Sequence, residues 1–241
     1  MTQSEFIKEC QSLFEKNGLS CSEEQAEKLF HLTERMLFVN QSMNLTAIKE
    51  EKAIILRHYV DSLTISEQIP QGSAVMDVGC GAGFPTLPLA IFRPDLTITA
   101  LDGTAKRVAY VKETAVLLGL SNVTAISARA EEYAHREDYR ERFDVVTARA
   151  VAALPVLCEL CIPYARIGGK VIAMKSAQAK EELSLAERCI CVCGGTVRQE
   201  RSCDLTDGES VEKRTLVVIE KTAATPKIYP RHFSKISKKP L

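Results

Sequence analysis

The chain has 241 residues, 46% of them hydrophobic and 26% charged, with 31 basic and 31 acidic side chains. Zero net charge excludes a uniformly basic nucleic-acid binder, so any such role must rest on local patches. No apolar run reaches a bilayer span, the opening Met1-Thr2-Gln3-Ser4-Glu5-Phe6 does not read as a signal peptide, so none is expected, and nine cysteines in mostly apolar contexts suit a reducing cytoplasm better than a disulfide framework.

Residues 1–40 read as two amphipathic helices. Phe6, Cys10, Leu13 and Phe14 recur at helical spacing until Gly18, and Leu29, Leu32, Met36 and Leu37 do so in the second. Thr2 with Glu5, and Ser22 with Gln25, have capping-box spacing. The polar Asn44-Leu45-Thr46 then breaks the pattern. A third helix carries Arg57, His58, Asp61 and Ser62, with Arg57 and Asp61 spaced to pair across one turn.

Ala74 to Val78 is a continuous apolar run interrupted only by Asp77, as expected of a strand buried on both faces. Gly79, Gly81 and Gly83 follow at every second position, and a helix begins near Pro85. Glycines let the chain turn and let a ligand approach without meeting a Cβ, and a helix start offers N–H groups. The spacing does not match the dinucleotide fingerprint, because Phe84 fills the sixth position, and there is no Gly-Lys-Ser/Thr for a phosphate loop. An acid beside a glycine loop repels pyrophosphate but suits a ligand with a positive amino-acid end. S-adenosylmethionine is such a ligand.

A second strand, 96–101, ends at Asp102, placed to accept from ribose hydroxyls. Helix 105–118 and a third strand, 122–126, lead to a turn whose Ala130 and Glu131 are expected beside adenine. The fourth strand, 143–150, exits through Arg149, and the fifth, 170–175, ends at Lys175. Both residues are expected in the cavity above the strands' carboxyl ends. A helix over 179–190 precedes two strands, Cys191–Glu200 and Arg214–Glu220, read as an antiparallel edge hairpin with a long connection. Cys158 and Cys161 fall in a helical pattern, and Cys189, Cys191 and Cys193 alternate like a strand's inner face, so no metal site is expected. The last segment, Lys227 to Leu241, has five basic residues and no acid, a candidate phosphate contact.

The repeated strand–helix alternation predicts an α/β, doubly wound, mostly parallel sheet of seven strands. Residues 1–70 would form a helical extension, 71–222 the class I S-adenosylmethionine-dependent methyltransferase domain, and 223–241 a basic tail. The chain closely resembles the bacterial 16S ribosomal RNA guanine-N7 methyltransferases, the glucose-inhibited division protein B family. The resemblance is carried by Asn44-Leu45-Thr46, Arg57-His58, Asp61-Ser62, Asp77-Val78-Gly79 through Phe84-Pro85, Leu101-Asp102, Lys106-Arg107, Arg149-Ala150, Lys175 and Leu216-Val217-Val218-Ile219. Tyr229-Pro230-Arg231 and Lys239-Pro240-Leu241 match as well, whereas His232-Phe233-Ser234 departs from the pattern.

The resemblance implies methylation of N7 of a single guanine, guanine 527, in 16S rRNA, either free or within a small-subunit particle. It implies S-adenosylmethionine as cofactor; the residues themselves point to no metal, no membrane, a cytoplasmic location and, by default, a monomer. Asp77, Gly79, Gly81, Gly83 and Phe84 would shape the methionine side, Asp102 would hold ribose, and Ala130 and Glu131 would border adenine. Arg149 and Lys175 would orient the guanine or its phosphate, with Asn44, Arg57 and His58 on the lid side. Two other classes stay open on the residues alone. One is a small-molecule or protein methyltransferase; the other is a non-catalytic rRNA-binding assembly factor.

Overall fold

The computed structural model describes residues 1–176 and 179–241. Both capping boxes form. Thr2 accepts from the Glu5 N–H and Ser22 from the Gln25 N–H, starting helices α1 (Gln3–Lys16) and α2 (Glu23–Met43). Their apolar faces bury Phe6, Leu13, Phe14, Leu29, Leu32 and Met36 completely. Phe14 stacks on Phe92 at 5.3 Å, which ties α1 to the first helix after the glycine loop.

The third helix, 51–63, is not regular. Between Glu51–Ile54 and Asp61–Leu63 lies a π turn, Ile55–Val60, and the Asp61 N–H reaches back to the Leu56 carbonyl.

The sheet has seven strands: β1 (Ala74–Val78), β2 (Thr97–Asp102), β3 (Val123–Ser127), β4 (Phe143–Arg149), β5 (Ala165–Ser176), β6 (Gly195–Thr206) and β7 (Val211–Lys221). Their order is β3-β2-β1-β4-β5-β7-β6. β1 to β5 run parallel; β7 lies antiparallel to β5, and β6 antiparallel to β7. The order reverses between β1 and β4, which opens the crevice where ligands of such sheets bind. Alternate residues serve two cores. Val75, Val145 and Ile172 face α1, α2 and the helices Thr86–Phe92 and Ala105–Leu117; Met76, Val146, Val171 and Ala173 face Leu154–Cys161 and Ala179–Val192.

Two sequence expectations at the sheet's far edge are corrected. Cys189 and Cys191 lie in the helix Ala179–Val192, not on a strand, and Cys193 is in the turn that follows. Their alternation was misleading: Cys189 and Cys193 are buried one helical turn apart, while Cys191 is exposed. The hairpin connection is also short, residues 207–210, because β6 runs six residues further than its apolar pattern suggests. Of those six residues only Leu205 is buried, so the apolar signal is weak.

The tail is docked. Arg231 donates from its backbone N–H and Nε to Glu159 Oε1 (2.8 and 2.9 Å) and from a terminal guanidinium nitrogen to Oε2 (2.7 Å), while Glu159 is wholly buried. His232 caps the short helix Phe233–Lys238, whose Ile236 is buried in the second core. Among the described residues no helix is long and apolar enough to cross a membrane.

Candidate active site

The glycine loop crosses the carboxyl ends of β1 and β2, and its three glycines do different work. A Cβ on Gly79 would meet Val151 at 2.6 Å, and one on Gly83 would meet Leu87 at 2.5 Å. These two let the loop pack against protein. A Cβ on Gly81 would find nothing nearer than 3.9 Å, so this residue faces open space at φ +54°. That opening, over a loop that donates most of its N–H groups to the protein itself, is where a ligand would be seated.

The loop is held from beneath. Gly79 and Cys80 donate to the Leu101 carbonyl (2.7 and 3.0 Å), and Gly81 donates to Asp102 Oδ2 (3.0 Å). Asp77 does not look into the crevice. It is buried, and it accepts from the Thr86 hydroxyl (2.6 Å) and the Thr147 hydroxyl (3.1 Å). The Thr86 hydroxyl, at the helix start, thus serves Asp77 rather than a ligand. The ammonium contact expected of Asp77 is not prepared in this structure; the acid clamps the loop to β4 instead. Burial pushes its carboxyl up to about 6, against the pull of both hydroxyls and of Arg149.

That shift has a sign. A carboxyl whose folded pKa lies above its unfolded value adds stability below pH 4 that fades as pH rises through 6. We expect wild type to lose about 2 to 3 kcal/mol relative to Asp77→Asn between pH 4 and pH 7. Urea melts of both proteins across that range check this, and parallel stability curves would refute it.

The cleft has two lobes. One, of about 230 Å³, is lined by Leu45, Thr46, His58, residues 79–82, Phe84, Arg107, Arg149 and Ala150. The other, of about 390 Å³, is lined by Ile48, Arg57, His58, Asp61, Arg149, Ala150, Met174, Lys175, Ser176, Arg214 and Leu216. His58, Arg149 and Ala150 belong to both, so the lobes meet there. Ala150 takes φ +54°, a costly conformation for a residue with a side chain, which turns the chain sharply at the junction.

A chain of polar contacts runs through that junction. Arg149 donates to Asp61 Oδ2 (2.9 Å), to the Arg57 carbonyl (3.1 Å) and to His58 Nδ1 (3.4 Å), and lies 5.1 Å from the Phe84 ring centre. The His58 ring stacks on Phe84 at 4.5 Å, and its Nε2 meets the Thr46 hydroxyl at 2.9 Å. Asp61 Oδ1 pairs with Arg214 (3.2 Å); Arg214 and Arg57 both pair with Glu212 (2.9 and 2.6 Å). Burial, then the Arg149 charge, pushes the His58 imidazole down to about 3, so the ring is neutral at neutral pH. Since Arg149 can only donate, we assign Nδ1, 3.4 Å away, as the acceptor, which puts the ring proton on Nε2.

The predicted site residues separate. Arg57, His58, Phe84, Gly79, Gly81 and Arg149 line the cleft; Lys175 lines its larger lobe, tied to the Ala152 carbonyl (3.0 Å) and to Glu182 (2.7 Å). Asn44 does not. It is exposed and caps α2 in the left-handed region (φ +51°), a turn that asparagine tolerates. Its neighbour Thr46 reaches the cleft instead, held at its backbone by Asn40 (2.9 and 3.0 Å). Asp102 spends its oxygens on Gly81 and on the Thr104 N–H (2.7 Å). Ala130 starts a short helix with its carbonyl held by the Tyr164 hydroxyl (2.7 Å), and Glu131 is buried there; neither lines a lobe. The expected Arg57–Asp61 pair does not form; Arg57 pairs with Glu212, and Asp61 with Arg149 and Arg214.

Three site residues went unpredicted: Thr46, Arg107 and Arg214. The signal for Arg214 lay in strand direction. β7 runs antiparallel to β5, so its first residues stand beside the last of β5, with Arg214 opposite Ser176. Among the described residues no group of three or more His, Cys, Asp or Glu could hold a metal.

Comparison with known proteins bears on what this cleft is for. Residues 25–211 match the family model described as rRNA small subunit methyltransferase G. A protein of that name from Lactobacillus johnsonii is 40% identical over 94% of this chain and 95% of its own. Another of the same name, from Brevibacillus brevis, is 39% identical over all of both chains. In fold, the chain is similar to a precorrin-6y C5,15-methyltransferase from Geobacter metallireducens, at TM-score 0.52 and 16% identity over 75% of this chain and 92% of that one. It is also similar to an S-adenosylmethionine-dependent methyltransferase from Methanosarcina mazei, at TM-score 0.52 and 14% identity over 66% of this chain and 97% of that one. The cofactor of this fold is S-adenosylmethionine, and the open face at Gly81 between Asp102 and the smaller lobe fits it.

Proposed function

We propose, since this chain belongs to the rRNA small subunit methyltransferase G family, that it methylates N7 of one guanine in 16S rRNA. The observation that carries the reading is the pair of joined lobes. The smaller lies over the glycine loop; the larger presents Arg57, Arg149, Lys175 and Arg214 around an apolar floor of Ile48, Met174 and Leu216. An apolar floor with basic walls suits a base and its phosphate.

When bound, the cofactor supplies an electrophilic methyl group on a sulfonium. The chain's own residues then have little chemistry left to do. Guanine N7 is an acceptor with a lone pair exposed, so no proton has to be removed from it. The cleft is built accordingly. His58 has one ring nitrogen accepting from Arg149 and the other facing Thr46, and Asp61 is locked between two arginines. Neither is available as a base. Catalysis rests on holding N7 in line and keeping water out, with Arg149 fixing the junction of the two lobes.

The test is transfer of tritiated methyl to 16S rRNA and to small-subunit particles, followed by the borohydride and aniline scission that reads 7-methylguanine. Label at one guanine, cleaved by that treatment, is the expected result. Label in protein or small molecules, or none, would favour one of the two other classes. A second expectation concerns pH. The single-turnover rate with bound RNA should be flat from about pH 6.5 to 8.5, because His58 stays neutral throughout. A tenfold rise per pH unit at constant RNA occupancy would show a base that this account lacks.

A further inference from the structure

The smaller lobe has a charge that the sequence did not foretell. Its wall holds two guanidinium groups, of Arg107 and Arg149, and no carboxylate, since Asp77 is buried and Asp102 is turned under Gly81. At about 230 Å³ it has room for an amino-acid end group. The two arginines are not equivalent. Arg149 already serves Asp61, the Arg57 carbonyl and His58. Arg107 is half-buried and makes no ion pair with a described carboxylate.

Thr46 adds a directed donor. A hydroxyl has one proton and two lone pairs. One lone pair accepts from the Ile48 N–H at 3.1 Å, and the other faces the protonated Nε2 of His58 at 2.9 Å. With both lone pairs engaged, the hydroxyl proton is left for the lobe that Thr46 lines. The order of cause runs from Arg149, which fixes the tautomer of His58, through His58, which fixes the polarity of Thr46.

We propose that Arg107 and the Thr46 hydroxyl together hold the carboxylate of the cofactor's methionine end. The inference rests on the cofactor reading given above and adds the direction in which that end lies: carboxylate toward Arg107 and Thr46, away from the acids under the loop. Thr46 is then a binding residue, and His58 a positioning residue that acts through it.

The probes are S-adenosylmethionine and its decarboxylated analogue, which keeps the amine and the sulfonium. Calorimetric titration of the full chain should show wild type preferring the carboxylate-bearing compound by about tenfold to a hundredfold, the worth of a charged hydrogen-bond pair. Thr46→Val and Arg107→Met should each shrink that preference to about threefold or less, chiefly by weakening the carboxylate-bearing compound. Thr46→Ser, which keeps the hydroxyl, should retain it. Thermal melts confirm that each variant is folded, and with two positions tested, one decides if the other fails to fold. Equal binding of both compounds by wild type, or undiminished preference in both Thr46→Val and Arg107→Met, overturns the anchor while leaving the cofactor in place. Binding of neither compound by wild type would overturn the cofactor reading itself, and this inference with it.

Discussion

Gly81→Val should abolish binding of S-adenosylmethionine and leave the molecule folded. The loop's three glycines look alike in the sequence, but only Gly81 points its missing side chain into open space, with nothing nearer than 3.9 Å. A valine there would stand where the ligand must pass. Its φ of +54° adds about 1 to 2 kcal/mol of strain, because a branched side chain is poorly tolerated in the left-handed region. That cost is small beside a normal domain stability of about 5 to 15 kcal/mol. Calorimetry should therefore show at least a hundredfold loss of affinity, with the melting temperature lowered by only a few degrees. Gly79→Val should do the reverse in kind. Its side chain would strike Val151 at 2.6 Å, so stability should suffer before binding can be measured. Unchanged affinity in Gly81→Val would place the cofactor somewhere other than this loop.

The contrast between the two glycines marks what a sequence can and cannot convey. Ala74 to Val78 was legible because a strand buried on both faces must be apolar throughout, and the glycines because a tight turn needs them. The capping boxes were legible because Thr2, Glu5, Ser22 and Gln25 bond within one turn. What the pattern hid was long-range or irregular. The π turn at Ile55–Val60 leaves no mark in composition, and the partners that Arg57 and Asp61 find, Glu212 and Arg149, come from β7 and β4, distant in the chain. Arg214 is far from Asp61 in the chain, and only the pairing of β7 with β5 brings it to the cleft. Asn44 and Thr46 were one motif in the sequence; backbone geometry gave the first the turn and the second the cleft. Asp77 was placed at the right end of the right strand, but which way its side chain turned depended on Thr86 and Thr147, neither of which draws attention in the sequence.

The tail supplies the last expected result. Arg231→Ala should destabilise the protein by about 3 to 5 kcal/mol, because it strips a fully buried carboxylate, Glu159, of its counter-charge and of both hydrogen bonds from the guanidinium. Pairing it with Glu159→Gln should restore much of that loss, since a neutral amide needs no counter-charge. Urea melts of the two single variants and the double decide it; a loss under about 1 kcal/mol in Arg231→Ala would mean that the clasp contributes little. The same geometry changes how the tail's charge must be tested. Removing residues 227–241 would leave Glu159 without its partner, take Ile236 out of the core, and confuse stability with RNA binding. Lys235, Lys238 and Lys239 are exposed, and Arg231 meets only the backbone carbonyl of Lys239 (3.2 Å), so the three side chains can be changed without removing a clasp contact. If this strap meets rRNA phosphates, replacing all three with glutamine should leave the melt in place and lower the salt slope of RNA binding by up to about 2 to 3, at roughly 0.7 to 0.9 for each phosphate no longer neutralised. An unchanged slope would confine the tail to its structural task of holding the helix that follows Arg149.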